Sequence, residues 1–363
     1  MIPFALLALA QVYQQNLPTG MEAPLRDPVS QFIATRPELA YRPGPLGYLP
    51  ALLAALRINP DTQALVFSKT SFQSQKISPR NPRAVYFSDN VAVGYVPGGD
   101  VLEMASLDPR QGIVFYTLDA RRSDAPRFAR REECLKCHQG PATLGVPGIF
   151  IGSVFPNANG APSRTAAIIT DHRTPFADRW GGWFIDGTHG EQLGRANRVA
   201  GDPAEPESLD TRLAKSFDAS AYLSSTSDVV ALMVFEHQTQ IVNMFTRLNW
   251  EARIPGTPPS QLESDLDATA AYLLFKGEAP LKEPIEGVSS FTRTFAREGP
   301  LREFDLRTRL FLYPLSYMIY SPAFDALPED IRVRLCHRVS RGITPEVREI
   351  VKRSKPQLER MLR

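Results

Sequence analysis

The spacing of apolar side chains changes character partway along the chain. Between residues 64 and 170 they fall in short runs separated by turn-forming residues, the pattern of strands joined by tight connections. Residues 64–68, 83–87 and 91–96 are three such runs, the last two joined by Ser88-Asp89-Asn90. A second pair, 101–106 and 112–118, flanks Asp108-Pro109-Arg110-Gln111, whose proline suits a turn. A third, 148–155 and 164–170, brackets Asn157-Ala158-Asn159-Gly160. From about residue 227 the apolar period lengthens to that of a helix. Ser227 is the predicted N-cap of a helix reaching about residue 252, with Leu232, Phe235, Val242, Phe245 and Leu248 along one broad face. Further helices are predicted over 260–276, 315–324, 328–341 and 344–362, with prolines at or near several starts. The pattern therefore predicts an α+β fold, with an antiparallel β-rich N-terminal half followed by a mainly helical C-terminal half.

This divides the chain into a β-rich region over 11–200, a loop or linker over 201–226, and a helical region over 227–363 that can share one core with the first. Residues 1–10 read differently. They form a short apolar run ending in Ala8-Leu9-Ala10, a small-x-small pattern that predicts a signal peptide with Gln11 as the mature start, although the usual basic residues before it are missing. No later run approaches the length of a membrane span, so the mature chain is expected to have none. A 363-residue chain that is 43% hydrophobic has ample material for a core, and its net charge of +2 gives no bias toward nucleic acid or an anionic membrane. The 32 prolines are spread along the chain, which favours short elements and many ordered loops. Three cysteines are too few for a disulfide scaffold.

Two of those cysteines carry the most specific chemistry. Cys134-Leu135-Lys136-Cys137-His138 spells C-x-x-C-H, in which each thiol can add to one haem vinyl group and the adjoining histidine can ligate iron. The expected cofactor is one haem c per chain, with His138 as an axial iron ligand. Two other readings compete. A thioredoxin-like redox pair follows a buried strand, whereas the residues before Cys134 run Arg127-Phe128-Ala129-Arg130-Arg131-Glu132-Glu133. Zinc would draw on Cys134, Cys137, Cys336 and His337, and adjacent residues on one helix cannot easily turn to the same ion. Cys336 falls in a predicted helix and reads as a buried structural thiol.

The group on the far side of the iron separates electron transfer from catalysis, because a filled sixth position shuts out exogenous ligands. His172, His189 and His237 are the candidates. His172 follows an apolar strand beside Asp171, His189 sits between glycines that let backbone approach a flat ring, and His237 shares a helical stripe with Met233, Ile241 and Met244. A small class I cytochrome places its motif near the mature N-terminus and a methionine ligand several tens of residues later. Here more than a hundred residues precede the motif and the next methionine is Met233, so histidine or an open position is expected. Arg179, Trp180 and Trp183, in the stretch Arg179-Trp180-Gly181-Gly182-Trp183, are candidates to line the haem, the rings by packing and the guanidinium by pairing with propionates.

C-L-K-C-H resembles c-type cytochromes in general. Together with Ser68-Lys69-Thr70-Ser71-Phe72-Gln73, Arg179-Trp180-Gly181-Gly182-Trp183 and Tyr313-Pro314-Leu315-Ser316-Tyr317, the chain resembles a family of large exported bacterial cytochrome c-like proteins with one such motif, over most of its mature length. That resemblance implies haem binding at Cys134, Cys137 and His138 and a periplasmic location, and it implies no substrate. The function expected is one-electron transfer between redox partner proteins. The alternatives are a peroxidase-like haem oxidoreductase, with His172 as base beside an arginine, or a haem-based sensor.

Overall fold

The computed structural model describes residues 24–163, 167–201 and 211–362, so the predicted signal peptide lies outside the described residues. The architecture is α+β. Seven antiparallel strands form the main sheet: β1 (Ala64–Val66), β2 (Arg83–Phe87), β3 (Val91–Tyr95), β4 (Val101–Asp108), β5 (Gly112–Asp119), β6 (Phe128–Arg130) and β9 (Trp183–Phe184), in the order β6-β5-β4-β3-β2-β1-β9. A separate hairpin pairs β7 (Ile151–Ser153) with β8 (Ile168–Thr170), and a third pairs β10 (Arg198–Val199) with β11 (Thr211–Arg212). β6 was not predicted. It is a short strand at the sheet edge with its residues half-buried or exposed, which a charged sequence tolerates where a central strand would not.

Both sheet faces are covered, so the strands read as apolar runs more than as alternation. One face, carrying Leu65, Tyr86, Val93, Met104, Tyr116 and Leu118, packs with two short helices that the pattern missed, α1 (Pro28–Ala34) and α2 (Leu49–Ala55). Seven-residue helices show too little periodicity to stand out. The other face, with Val85, Phe87, Ala92, Leu107, Ile113 and Phe115, joins the helical half in one continuous core.

The centre of that core is α3 (Val229–Glu251), and 21 of its 23 residues are buried. The expectation of one apolar face was too narrow, because the helix is enclosed by the sheet on one side and by other helices elsewhere; Phe235 stacks on Phe87 at 4.5 Å and Phe245 meets Phe324 at 5.6 Å. Its cap is Asp228, one residue after the predicted Ser227, with the carboxylate accepting from Val230 and Ala231 N–H at 2.8 and 3.1 Å. Ser227 instead donates to the Phe184 carbonyl at 2.7 Å and accepts from Leu65 N–H at 2.8 Å, tying the helix start to the sheet.

The remaining helices of the C-terminal half are Pro259–Leu273, Phe291–Arg297, Pro322–Asp325, Glu329–Ser340, Pro345–Ser354 and Pro356–Met361. The span predicted over 344–362 is two helices, because Lys355, preceding Pro356, leaves the helical region at φ −144° and ψ 69°. The span predicted over 315–324 is broken likewise, with Ser316 and Ser321 capping two short turns. Among the described residues no helix is long and apolar enough to cross a membrane.

Candidate functional site

The C-x-x-C-H residues form a single tight turn on the rim of the sheet. A 3-10 turn (Glu132–Cys134) runs into a four-residue helix, Leu135–His138. Arg131 anchors its start, donating from its backbone to the Phe115 carbonyl at 2.9 Å and from Nε to Thr117 Oγ1 at 2.8 Å. Three residues apart on one turn, Cys134 and Cys137 fall on the same side. Both are free thiols; Cys134 is half-buried and Cys137 exposed. Burial, with Glu133 and Glu103 nearby, raises the Cys134 thiol above its ordinary value, so it is protonated at neutral pH.

His138 is held at one nitrogen. Its Nδ1 lies 3.0 Å from the Gly148 carbonyl oxygen, and Gly148 N–H donates back to the His138 carbonyl at 2.9 Å. A carbonyl only accepts, so Nδ1 carries the hydrogen and Nε2 keeps its lone pair, the arrangement by which proteins orient metal-bound imidazoles. Burial lowers the His138 pKa, which keeps the ring neutral. The return loop is fixed from below by α3: Asn243 Nδ2 donates to the Ile149 carbonyl at 2.9 Å, and a Cβ at position 148 would come within 2.1 Å of Asn243 Oδ1, which only glycine avoids.

Apolar surface surrounds the imidazole. Phe115 of β5 and Phe150 lie 4.8 and 5.4 Å from it, ring centre to ring centre. Phe150 also faces Gly152, which pairs with Ile169 across the β7–β8 hairpin, and Ile169 is 37% exposed despite its size. Phe72 is 63% exposed beside Gln73, which donates to Glu103 Oε1 at 3.1 Å on the same sheet. Two free thiols on one turn, an oriented imidazole with a bare Nε2, and uncovered apolar side chains fit a covalently attached haem.

The other candidate residues assemble elsewhere. His172 and His237 are both buried and bonded to each other, Nδ1 to Nδ1, at 2.8 Å. His237 Nε2 continues to Ser316 Oγ at 2.7 Å, while His172 Nε2 is buried without a partner. Burial holds both imidazoles below their ordinary value, His237 at about 3, with the second histidine lowering His172 further. Beside them Arg179 Nη1 pairs with Glu236 Oε2 at 3.2 Å, and its other donors go to the Thr174 and His172 carbonyls, each at 2.7 Å. Burial raises the Glu236 carboxyl, opposed by Arg179 and by Thr170, whose hydroxyl donates to Oε1 at 2.7 Å. Trp180 is buried against Phe176, and Trp183 donates from Nε1 to the Gly152 carbonyl at 2.8 Å, which ties the hairpin to the core.

Relative to the motif, these groups are displaced along α3. The motif loop meets that helix at Asn243, whereas His237 lies six residues earlier, roughly 9 Å along the axis, and faces Tyr272 and Phe275. His189 is half-buried near the helix start, its Nδ1 2.9 Å from the Gly190 carbonyl and neighbouring Gly187 packed on Val229, roughly 20 Å from Asn243 along α3. Cys336 is buried, its thiol pushed up to about 12, and His337 on the same helix is exposed. Among the described residues no group of three or more His, Cys, Asp or Glu side chains is placed to hold a metal ion, so the zinc set is not assembled. A cleft of about 430 Å³ opens between Arg57, Phe87, Phe291 and Glu298, and no motif residue lines it.

Sequence reasoning missed Phe115, Phe150, Arg83 and Glu103 as neighbours of the motif. They come from separate strands and loops, and only the sheet register brings them together. Comparison of the chain with known protein families, with curated proteins and with solved structures finds no match.

Proposed function

We propose that this chain is a periplasmic c-type cytochrome that binds one haem c and passes one electron at a time between redox partner proteins. The observation that carries the reading is the turn from Cys134 to His138, where an imidazole oriented through Nδ1 offers Nε2 beside two free thiols at the surface. Each thiol would add across one vinyl double bond, forming a C–S bond and giving its hydrogen to the neighbouring carbon, so attachment needs no oxidant. When bound, the haem supplies the iron couple that takes up and returns the electron. Gly148 fixes the tautomer of His138, Phe115 and Phe150 fix the ring plane, and Ile169, paired with Gly152 beside Phe150, offers apolar cover. Haem of this type is attached outside the cytoplasmic membrane, which fits the predicted signal peptide.

One observation favours a second reading. His172 and His237 are committed to each other and His189 sits at the other end of α3, so an open sixth position, as in a peroxidase-like oxidoreductase or a haem sensor, is the alternative. Carbon monoxide added to the reduced protein separates the two: an immediate spectral shift marks an open position, and an unchanged low-spin spectrum a filled one.

The first test is expression of the full-length chain, with its leader, in a host equipped for c-type maturation, followed by acid-acetone extraction and a pyridine haemochrome spectrum. One haem per chain that resists extraction, and is lost in Cys134→Ala/Cys137→Ala, is the expected result. No retained haem, while a control cytochrome matures in the same cells, rejects the reading.

A further inference from the structure

We infer that Arg83 and Glu103 form a fixed charge pair beside the motif that sets the reduction potential of the bound haem, Arg83 raising it and Glu103 lowering it. The inference rests on the haem reading above and on the register of the sheet. On the face that carries Phe115, which touches His138, the ladder pairs Phe115 with Ala105 and Thr117 with Glu103, so Glu103 stands one pleat from the residue under the imidazole. Glu103 pairs in turn with Gly94, and Gly94 with Val85, two residues from Arg83 on the same face. That end of the face is polar where the rest is apolar: Val85, Phe87, Leu107 and Ile113 belong to the core shared with α3, whereas Arg83 and Glu103 are half-buried charged residues.

The pair is built rather than incidental. Arg83 Nη2 meets Glu103 Oε2 at 2.5 Å, with the side chains only 23% and 14% exposed. The guanidinium lies across Gly94, where a Cβ would come within 2.3 Å of Nη2 and 2.6 Å of Nε, so the strand gives up a side chain to let the arginine lie flat. Gln73 holds the second carboxylate oxygen at 3.1 Å. Arg83 Nε is buried without an acceptor, so the guanidinium keeps a donor that Glu103 does not use. The pair reaches the motif through the sheet: Thr117, the partner of Glu103, accepts from Arg131 Nε at 2.8 Å, and Arg131 starts the turn that carries Cys134 and His138. A cation at this place favours the haem with the extra electron and an anion disfavours it, and partial burial keeps either effect from being screened by solvent.

The test is a spectroelectrochemical titration of the purified holoprotein and its variants, each first checked for covalent haem. Arg83→Gln leaves Glu103 unopposed and lowers the midpoint; Glu103→Gln leaves Arg83 unopposed and raises it. Each shift is expected to be on the order of tenfold in the oxidised-to-reduced ratio, about 59 mV for one electron. Arg83→Gln/Glu103→Gln returns toward wild type, and Arg83→Lys, which keeps the charge, stays near it. Packing damage would shift both single variants the same way and would not be rescued by lysine. Single-variant shifts of the same sign, or none, with haem attached overturn the role of the pair and leave the cytochrome reading standing. A wild-type chain that retains no haem overturns both. Should Arg83→Gln not mature, Glu103→Gln and Arg83→Lys still decide the sign.

Discussion

His138 and His237 are both neutral imidazoles held through Nδ1, yet their surroundings put them to different ends. At His138 the partner is a backbone carbonyl, Nε2 is left bare, and the ring packs against Phe115 and the half-buried Phe150. At His237 the partners are His172 and Ser316, both ring nitrogens are used, and Tyr272 and Phe275 close over the ring. Around the second pair, Arg179 and Glu236 spend their charges on each other and on neighbouring backbone. The difference shows how a polar group in a core holds elements together through its hydrogen bonds, as His237 does with both ring nitrogens, while His138 uses only Nδ1 and keeps the Nε2 lone pair unspent. The buried network joins α3, the strand before His172 and the segment at Ser316; the surface turn joins little and leaves an offer open.

If that contrast is right, the two regions should separate under mutation into stability and binding. The largest effect belongs to Glu236→Ala, which strands the buried Arg179 guanidinium and is expected to cost about 3–5 kcal/mol in urea unfolding, enough to threaten folding. His237→Ala comes next at roughly 2–4 kcal/mol, since it strands His172 Nδ1, leaves the Ser316 hydroxyl only the Met318 N–H, and opens a cavity. His138→Ala should cost under about 1.5 kcal/mol and yet abolish the haem ligation proposed for it. A His138→Ala chain as unstable as His237→Ala would break the comparison, because the surface turn would then be structural as well.

How much of this was legible in the sequence follows the same divide. The C-x-x-C-H spacing is legible because the haem attachment proposed for it needs two thiols and an imidazole close together in the chain, a constraint that spacing alone records. The hairpins around Ser88-Asp89-Asn90 and Asp108-Pro109-Arg110-Gln111, and the helix after Asp228, were visible because turn formers and apolar periods are local. His237 showed its stripe, but its bond to His172 crosses 65 residues and depends on how a loop returns to the helix. Arg179 looked available for propionates and is consumed by Glu236, a partner 57 residues away that no local pattern marks. Arg83, Gly94 and Glu103 each look ordinary, and only cross-strand register places them together beside the motif.

A smaller effect tests the buried side through pH. Because burial depresses His237 to about 3 and also lowers His172, the unfolded chain takes up protons near pH 6.5 that the folded chain refuses. Stability from these rings is therefore present above pH 6.5 and is lost as pH falls toward 3, at about 1.4 kcal/mol per pH unit for each ring kept neutral. His237→Gln removes one such ring, so its cost should shrink by roughly 2 kcal/mol between pH 7 and pH 5. Paired urea titrations at the two pH values read this directly, and a cost independent of pH would show that His237 accepts a proton in place.

The smallest effect sharpens the surface side. Ile169 is a large apolar residue left 37% exposed on the hairpin face that carries Gly152 and Phe150. Exposed positions without special contacts tolerate substitution within about 0.5 kcal/mol, so Ile169→Ser should leave unfolding of the haem-free chain almost unchanged. With haem attached the outcome should differ, because a polar side chain on an apolar wall admits water and favours the more charged oxidised form. The expected signature is a lowered midpoint with unaltered haem content, small beside the shift at Arg83. An unchanged midpoint would place the haem away from this hairpin and confine its apolar contacts to Phe115 and Phe150, whereas a stability loss like that of His237→Ala would show that Ile169 packs as core.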